Sequence, residues 1–349
     1  MKLGAKENGY MWGAGNEAWA GPMTTLVHRR AFLNLTAASA TLMASPRFAS
    51  ALDYPTRPVR MIVGLAAGGP TDFVARLMAQ WLSENLGNQF TVENRTGAGG
   101  TIATEAVINA PPDGYTLLFA GPTVTISASL YTKLANVLDQ LTPVGIVMRV
   151  PNIMVVAPSL PVKTVQEFID YAKANPGKIS FASSGVGASP YLSGAYFQFL
   201  TKIDMVHVPY RGSAGAYPDL MSGKVQVLFD NLGGPVLQMV HAGQLRALAV
   251  TSAERWPLLP DLPTVAETVP GYEVNVWYCM FAPKNTPANI VNLLNTGLKN
   301  AIAEPAIKAR FAEDGGAPLY LTPEELAKFV ADDEANWHKM VEAAGISAE

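Results

Sequence analysis

Apolar and polar positions follow two periods along the chain. Val59 to Leu65 is a short apolar run rich in β-branched residues, and Ala66-Ala67-Gly68-Gly69-Pro70 breaks it. After Thr71, the residues Val74, Leu77, Met78, Trp81 and Leu82 recur at helical spacing, and Gly87 stands where a C-terminal cap glycine belongs. The scheme then repeats. Further strands are predicted at 90–93, 116–120, 153–157, 179–182, 206–208, 225–229 and 247–251, with helices at 101–110, 164–174, 190–200 and 216–221. Pro257, Pro260, Pro263 and Pro270 mark an irregular passage, 274–281 is apolar and extended, and 290–303, 306–313 and 323–344 read as helices. Alternation of this kind predicts parallel sheets covered by helices, here as two doubly wound α/β domains.

The first fifty residues break this pattern. Arg29-Arg30-Ala31-Phe32-Leu33 is followed by an apolar, small-residue stretch from Leu35 to Ala44 and then by Ala49-Ser50-Ala51. A basic segment, a short apolar segment and an A-x-A site make an export signal, with cleavage expected after Ala51. The Arg pair suits the twin-arginine route, and the apolar segment serves either that route or the general one. Met23 is an alternative start that would give the Arg pair a normal distance from the N-terminus. The reading is thus a leader over 1–51 and an exported protein in the periplasm. No later stretch reaches the 18 or so apolar residues of a membrane span.

Composition narrows the function classes. The chain has 349 residues, 49% hydrophobic, 15% charged, with a net charge of −3 and one Cys. Nucleic-acid binding calls for a dense Lys/Arg patch, and none is present. A lone Cys excludes a disulfide framework and a Cys-based zinc site. The histidines form no H-E-x-x-H pattern. Gly97-Ala98-Gly99-Gly100 lacks the third glycine of a dinucleotide fingerprint, and Ser183 and Ser189 lack the glycines of a nucleophile elbow. No metal, cofactor or catalytic residue is therefore expected. What recurs is a strand-to-helix loop rich in Gly, Ser and Thr, at 68–72, 121–129, 183–189 and 211–215. Unpaired N–H groups and the helix dipole favour an anion at such ends, and in open α/β sheets these loops gather at one crevice. A small carboxylate fits this device. Each loop taken singly is equally a turn closed by a capping Thr71 or Ser189.

Particular blocks carry a resemblance. Tyr54-Pro55, Pro58-Val59-Arg60, Gly68-Gly69-Pro70-Thr71-Asp72, Glu93-Asn94-Arg95-Thr96-Gly97-Ala98-Gly99-Gly100, Asp113-Gly114-Tyr115, Val208-Pro209-Tyr210-Arg211-Gly212 and Phe229-Asp230-Asn231 are similar to the Bug family. These are the extracytoplasmic receptors of tripartite tricarboxylate transporters. The resemblance spans essentially all of 53–345. It implies a two-domain periplasmic-binding-protein fold of type II, a Venus flytrap, crossed by two strands near 147–156 and 274–281. Lobe I would hold 52–150 and 276–349, and lobe II 151–275. The ligand contacts it implies are Gly69, Thr71, Asp72, Thr123 and Ser127 from the first lobe. From the second they are Ser183, Gly187, Ser189, Tyr210, Arg211, Gly212 and Asp230. Departures occur at Gly64-Leu65-Ala66-Ala67, where prolines after an aromatic are usual, and at Tyr191, where His is common.

The function expected is capture of a small organic acid by a monomeric receptor and its delivery to membrane permease subunits. Two other readings stay open. A sensing receptor for a membrane signalling partner would share the fold. An exported α/β hydrolase would need a Ser, a His and an acid converging on one cleft.

Overall fold

The computed structural model describes residues 54–131 and 136–346, so the leader expected over 1–51, its cleavage site and the Met23 start lie outside the described residues. In the first lobe, β1 (Val59–Val63) pairs in parallel with β2 (Phe90–Asn94) and β3 (Thr116–Ala120). Helices α1 (Pro70–Leu86), α2 (Thr101–Ile108) and α3 (Thr123–Leu130) follow these three strands in turn. A 16-residue strand, β4 (Leu141–Val156), then leads into the second lobe. That lobe contains α4 (Val165–Ala174), β5 (Ile179–Ser183), α5 (Ser189–Thr201), β6 (Met205–Pro209), α6 (Tyr217–Met221), β7 (Val227–Asn231), α7 (Gly234–His241) and β8 (Arg246–Val250). The chain returns through β9 (Asn275–Pro283) and closes with α8 (Ala288–Ala303), α9 (Pro305–Glu313), β10 (Ala317–Pro318) and α10 (Pro323–Ala344).

The strand order is β2-β1-β3-β9-β4-β7-β5-β6, with β8 and β10 also on β4. The strands are apolar nearly throughout because both faces are covered. Val59, Met61 and Val63 of β1 enter one cluster with Val74 and Met78 of α1, while Ile62 enters another with Ala103 and Val107 of α2. Leu117 and Phe119 of β3 alternate in the same way with Leu118 and Ala120. Period-two alternation therefore supplies two cores, one per face.

The lobes join at β4. Residues from Leu141 to Pro151 pair antiparallel with β9, whereas Asn152 to Val156 pair with β7 and β8. Thr251 clamps this change of partner. Its Oγ1 lies 2.7 Å from the Asn152 N–H, 3.1 Å from the Asn152 carbonyl and 2.7 Å from the Val274 carbonyl. The Val274 N–H in turn donates to the Thr251 carbonyl at 2.9 Å.

The sequence pattern reads β4 only from Ile153. Its front half carries Pro143 and Gly145, which argue against a strand, and the register shift between them, with another between Ile146 and Met148, absorbs them as bulges. Helix α3 was expected as loop, since Thr-Val-Thr-Ile-Ser has poor helix propensity. Its backbone is helical because Val124 and Ala128 bury one face against the first sheet. Helix α10 belongs to both lobes: Leu326 and Val330 join the first-lobe core, whereas Trp337 and Val341 pack with Phe168 and Phe197 of the second. Among the described residues no helix is long and apolar enough to cross a membrane.

Candidate functional site

The loops at the carboxyl ends of β1, β2, β3, β5 and β6 face one another between the lobes and enclose two adjoining cavities. The outer one, about 610 Å³, is walled by Leu65, Ala66 and the Thr96–Gly100 loop on one side. Ser184–Val186, Ala188 and Tyr210–Gly212 wall it on the other. The inner one, about 20 Å³, is reached past Leu65, Ser184 and Ala188, which line both; Thr71, Thr123, Ser189, Asn231 and Tyr278 complete it. That inner volume admits about one water, so the lobes lie close together here. The outer volume is in the usual range for a small-molecule site.

Local sequence explains why these loops present backbone and hydroxyls. Gly97, Ala98, Gly99 and Gly100 all have positive φ, a run that only a glycine-rich segment adopts. The loop then passes close under its opposite number: a Cβ on Gly99 would stand 2.9 Å from the Val186 carbonyl oxygen. Helices α1 and α5 begin at Pro70 and Ser189, and neither has a side-chain cap. The capping role open to Thr71 and Ser189 is thus not used. The Ser189 hydroxyl donates instead to Asn231 Oδ1 at 3.1 Å, and Asn231 Nδ2 donates to the Tyr278 hydroxyl at 3.3 Å. The hydroxyls of Thr71, Thr123 and Ser184 line the inner cavity and have no hydrogen-bond partner among the described residues.

The expected contact residues separate into three groups. Thr71, Thr123 and Ser189 line the inner cavity, and Tyr210, Arg211 and Gly212 line the outer one. Gly69 and Gly187 are backbone neighbours of the cleft. Gly69 lines a separate 110 Å³ recess with Pro70 and Gly233, and Gly187 packs against Gly99 and Tyr131. Asp72, Ser127, Ser183 and Asp230 are buried and line neither cavity.

The buried acids hold loops in place. Asp72 accepts from the Gly68 N–H at 2.9 Å, Arg76 Nε at 2.8 Å and Asn94 Nδ2 at 2.9 Å. Burial pushes its carboxyl up, but these donors, Arg76 foremost, hold it below the usual carboxylate range. Asp230 accepts from the Ser213 hydroxyl at 2.5 Å, the Tyr217 hydroxyl at 2.6 Å and the Asn231 N–H at 2.9 Å. Its carboxyl is raised by complete burial, which those three bonds only partly offset. Tyr210 spends its hydroxyl on Asp219 at 2.8 Å, and burial together with that carboxylate pushes the phenol up to about 12.

Ser183 lies 2.7 Å from His207 Nε2 and accepts the Gly185 N–H at 3.2 Å. The His207 ring contacts two aromatic rings, stacking on Phe181 at 4.8 Å and tilting against Tyr191 at 4.5 Å, and burial pushes its pKa down to about 4. The imidazole is therefore neutral at pH 7. A Ser and a His do meet here, but no carboxylate hydrogen-bonds the ring among the described residues, and Ser183 is fully buried. Cys279 is buried and its thiol is pushed well above its ordinary value by desolvation.

Sequence reasoning did not name Ser184, Ala188, Asn231 or Tyr278 as contacts, and it used the Gly97–Gly100 loop as a failed nucleotide fingerprint and a block of the family resemblance, not as a wall of the site. A signal existed for Asn231, which follows Asp230 at a strand end. Tyr278 had none, since it sits within an unbroken apolar run.

Comparison with known proteins matches this architecture. The model of the tripartite tricarboxylate transporter family receptor matches residues 74–346. Protein BugT of Bordetella pertussis is 36% identical over 300 residues, covering 85% of this chain and 92% of that protein. The structure of Rpa4515 from R. palustris with adipate superposes with a TM-score of 0.80 at 38% identity, covering 84% of this chain and 99% of that one. MatC from Rhodopseudomonas palustris with bound malate superposes with a TM-score of 0.78 at 32% identity, covering 82% and 100%.

Proposed function

The chain belongs to the tripartite tricarboxylate transporter receptor family, whose members are periplasmic solute-binding proteins, and on that premise we propose that it captures a small organic acid as a carboxylate between its lobes. The observation that carries this reading is the convergence of the Thr71, Thr123 and Ser184 hydroxyls, none with a partner among the described residues, on the inner cavity at the starts of α1, α3 and α5. That cavity has room for one water-sized group such as a carboxylate oxygen, and it adjoins the 610 Å³ cavity that has room for the rest of an acid. First-turn N–H groups have no partner inside their helix and the dipole adds positive potential there, so a carboxylate is held without a countercharge. The adipate of Rpa4515 and the malate of MatC are acids of this kind.

Binding couples to closure because the contacts come from both lobes and coexist only when the lobes meet. The bodies that move in this proposal are 52–150 with 276–349, and 151–275, rotating about Pro151-Asn152 and Val274-Asn275. The tail of α10, which packs on the second lobe, acts as a strap across the junction. In this reading the receptor is exported by a leader cleaved after Ala51, and it delivers its ligand as a monomer to permease subunits. The buried Ser183–His207 pair shapes the β5–α5 loop and performs no hydrolysis.

A thermal-shift screen of the purified protein against small carboxylates tests the proposal. An acid at 100 times its Kd adds about 2.7 kcal/mol of stability, which a melting curve resolves. The expected hit disappears in Thr71→Ala, and a protein that no carboxylate stabilises refutes the reading.

A further inference from the structure

We infer that Asp333 of α10, which lines neither cavity, is a positioning residue for the cleft, and that capture of a carboxylate draws protons onto it. The inference rests on the carboxylate reading above. Helix α10 packs across α3, whose first residue, Thr123, lines the inner cavity. Asp333 joins the two helices: its Oδ2 accepts from the Thr125 hydroxyl of α3 at 2.7 Å and from Trp337 Nε1 of its own helix at 3.0 Å. Burial raises the carboxyl to about 6, which its donors, the Thr125 hydroxyl foremost, only partly offset. No cation compensates it among the described residues. Helices α3 and α5 and strand β9, all near α10, carry no charged residue. Arg149 of β4 and Lys299 of α8 lie over the Trp256 and Tyr320 rings. Along α10 itself Lys328 pairs with Asp332, and Glu334 interacts with Asp139 and His338.

The Thr125 hydroxyl has one proton and two acceptors, because it also lies 2.9 Å from the Pro122 carbonyl. When Asp333 is ionised, that proton goes to the carboxylate, the stronger partner. The Pro122 carbonyl then keeps only the Ile126 N–H, at 2.8 Å. When Asp333 is protonated, it donates to Thr125 Oγ1, and the Thr125 proton returns to the Pro122 carbonyl, in the peptide that leads into Thr123. The charge acts in the same direction. An ionised Asp333 stands beside the first turn of α3 and cancels part of the positive potential that the helix offers an anion. It also repels a carboxylate bound at Thr123. A ligand anion therefore favours the protonated acid, and by reciprocity the protonated acid binds the anion more tightly. Affinity accordingly rises as pH falls through the range in which Asp333 takes up its proton.

Isothermal titration with succinate, glutarate, adipate and malate tests this, using the native protein and Asp333→Asn at pH 6.5 in phosphate and in imidazole, whose ionisation enthalpies differ. For each acid that binds, the native protein is expected to show a buffer-dependent enthalpy corresponding to uptake of about a third of a proton. That is the uptake a threefold linkage produces. In Asp333→Asn, which keeps an acceptor for Thr125 and cannot ionise, the uptake disappears. At pH 7.5 the variant is expected to bind about threefold more tightly than the native protein, and at pH 5.5 the two converge. The ligand's own titration is common to both proteins and cancels in this comparison. A merely structural role for Asp333 would shift affinity alike at both pH values and leave no proton uptake to lose. Binding without proton uptake by the native protein, or with the same uptake in the variant, overturns the inference and leaves the carboxylate reading standing. If none of the four acids binds, the carboxylate reading falls and the inference with it.

Discussion

His207 ties the stability of the second lobe to pH in a direction that can be worked out from its surroundings. The ring packs beside Phe181 and Tyr191 with Nε2 on the Ser183 hydroxyl, and burial takes its pKa from 6.5 down to about 4. The Ser183 oxygen already accepts the Gly185 N–H. In the neutral state its proton therefore goes to Nε2, and the ring carries its own proton on Nδ1. Protonating Nε2 turns both partners into donors facing each other. Above pH 6.5 the ring is neutral in the folded and unfolded chains alike. Between 6.5 and about 4 the unfolded chain binds a proton that the folded one refuses, so stability falls with pH through this window and levels off below it. At full strength that displacement corresponds to roughly 3 kcal/mol; because the ring is half-exposed, solvent screening reduces it to about 1–2 kcal/mol. The assay is urea unfolding of the native protein and of His207→Gln at pH 7.5, 5.5 and 4.5. The Gln side chain keeps an acceptor for Ser183 and does not titrate. Other carboxylates tilt both curves equally, so the native protein is expected to lose about 1–2 kcal/mol more than the variant over this range. Parallel curves for the two proteins would refute the assignment of His207 as a buried neutral ring.

Three further outcomes follow from the same geometry. Thr71→Ala and Thr123→Ala each remove a hydroxyl that no described residue uses. Titration should show at least about tenfold weaker carboxylate binding, as for loss of a hydrogen bond to a charged group, while the ligand-free melting temperature stays put. Gly99→Ala puts a methyl group 2.9 Å from the Val186 carbonyl at a φ of +63°, so the loops of the two lobes cannot approach. Small-angle scattering should then show a ligand-induced compaction in the native protein that the variant lacks. Thr251→Val strips the partners from the Asn152 N–H and the Val274 carbonyl at the junction, and urea unfolding should register a loss of about 2–4 kcal/mol.

The parts of the fold that could be read from sequence are those where local preference and tertiary demand agree. Helix α1, with Pro70 in its first turn and Gly87 in the left-handed conformation at its end, carries its own signals. The front of β4 does not: Pro143 and Gly145 are strand breakers that survive because bulges against β9 absorb them, and β9 lies more than a hundred residues away. The same distinction divides the site. Thr71 and Ser189 were visible as hydroxyls at helix starts, and both line the inner cavity. Asp72 and Asp230 were equally visible as polar residues beside glycine loops, but their engagement depends on partners such as Asn94 and Tyr217, whose proximity no local pattern announces.

This division has a physical basis. A carboxylate ligand would be repelled by Asp72 and Asp230 if they faced the cleft, yet glycine-rich loops need fixed acceptors to hold one shape. Turning each acid inward meets both requirements. Asp72 fastens the Gly68 N–H and Asn94, and through Asn94 it reaches the Leu65 carbonyl, where Asn94 Nδ2 donates at 3.0 Å. Asp230 fastens Ser213 and Tyr217 just after Arg211-Gly212. Between these anchors the cavity wall is left with the hydroxyls of Thr71, Thr123 and Ser184 and with none of the anchoring carboxylates. Such a surface is preorganised for an anion before any ligand arrives, so less of the binding free energy is lost to ordering the loops. Few charged side chains in the cleft are then a consequence of how the loops are held, and affinity rests on the alignment of many weak donors rather than on a single ion pair.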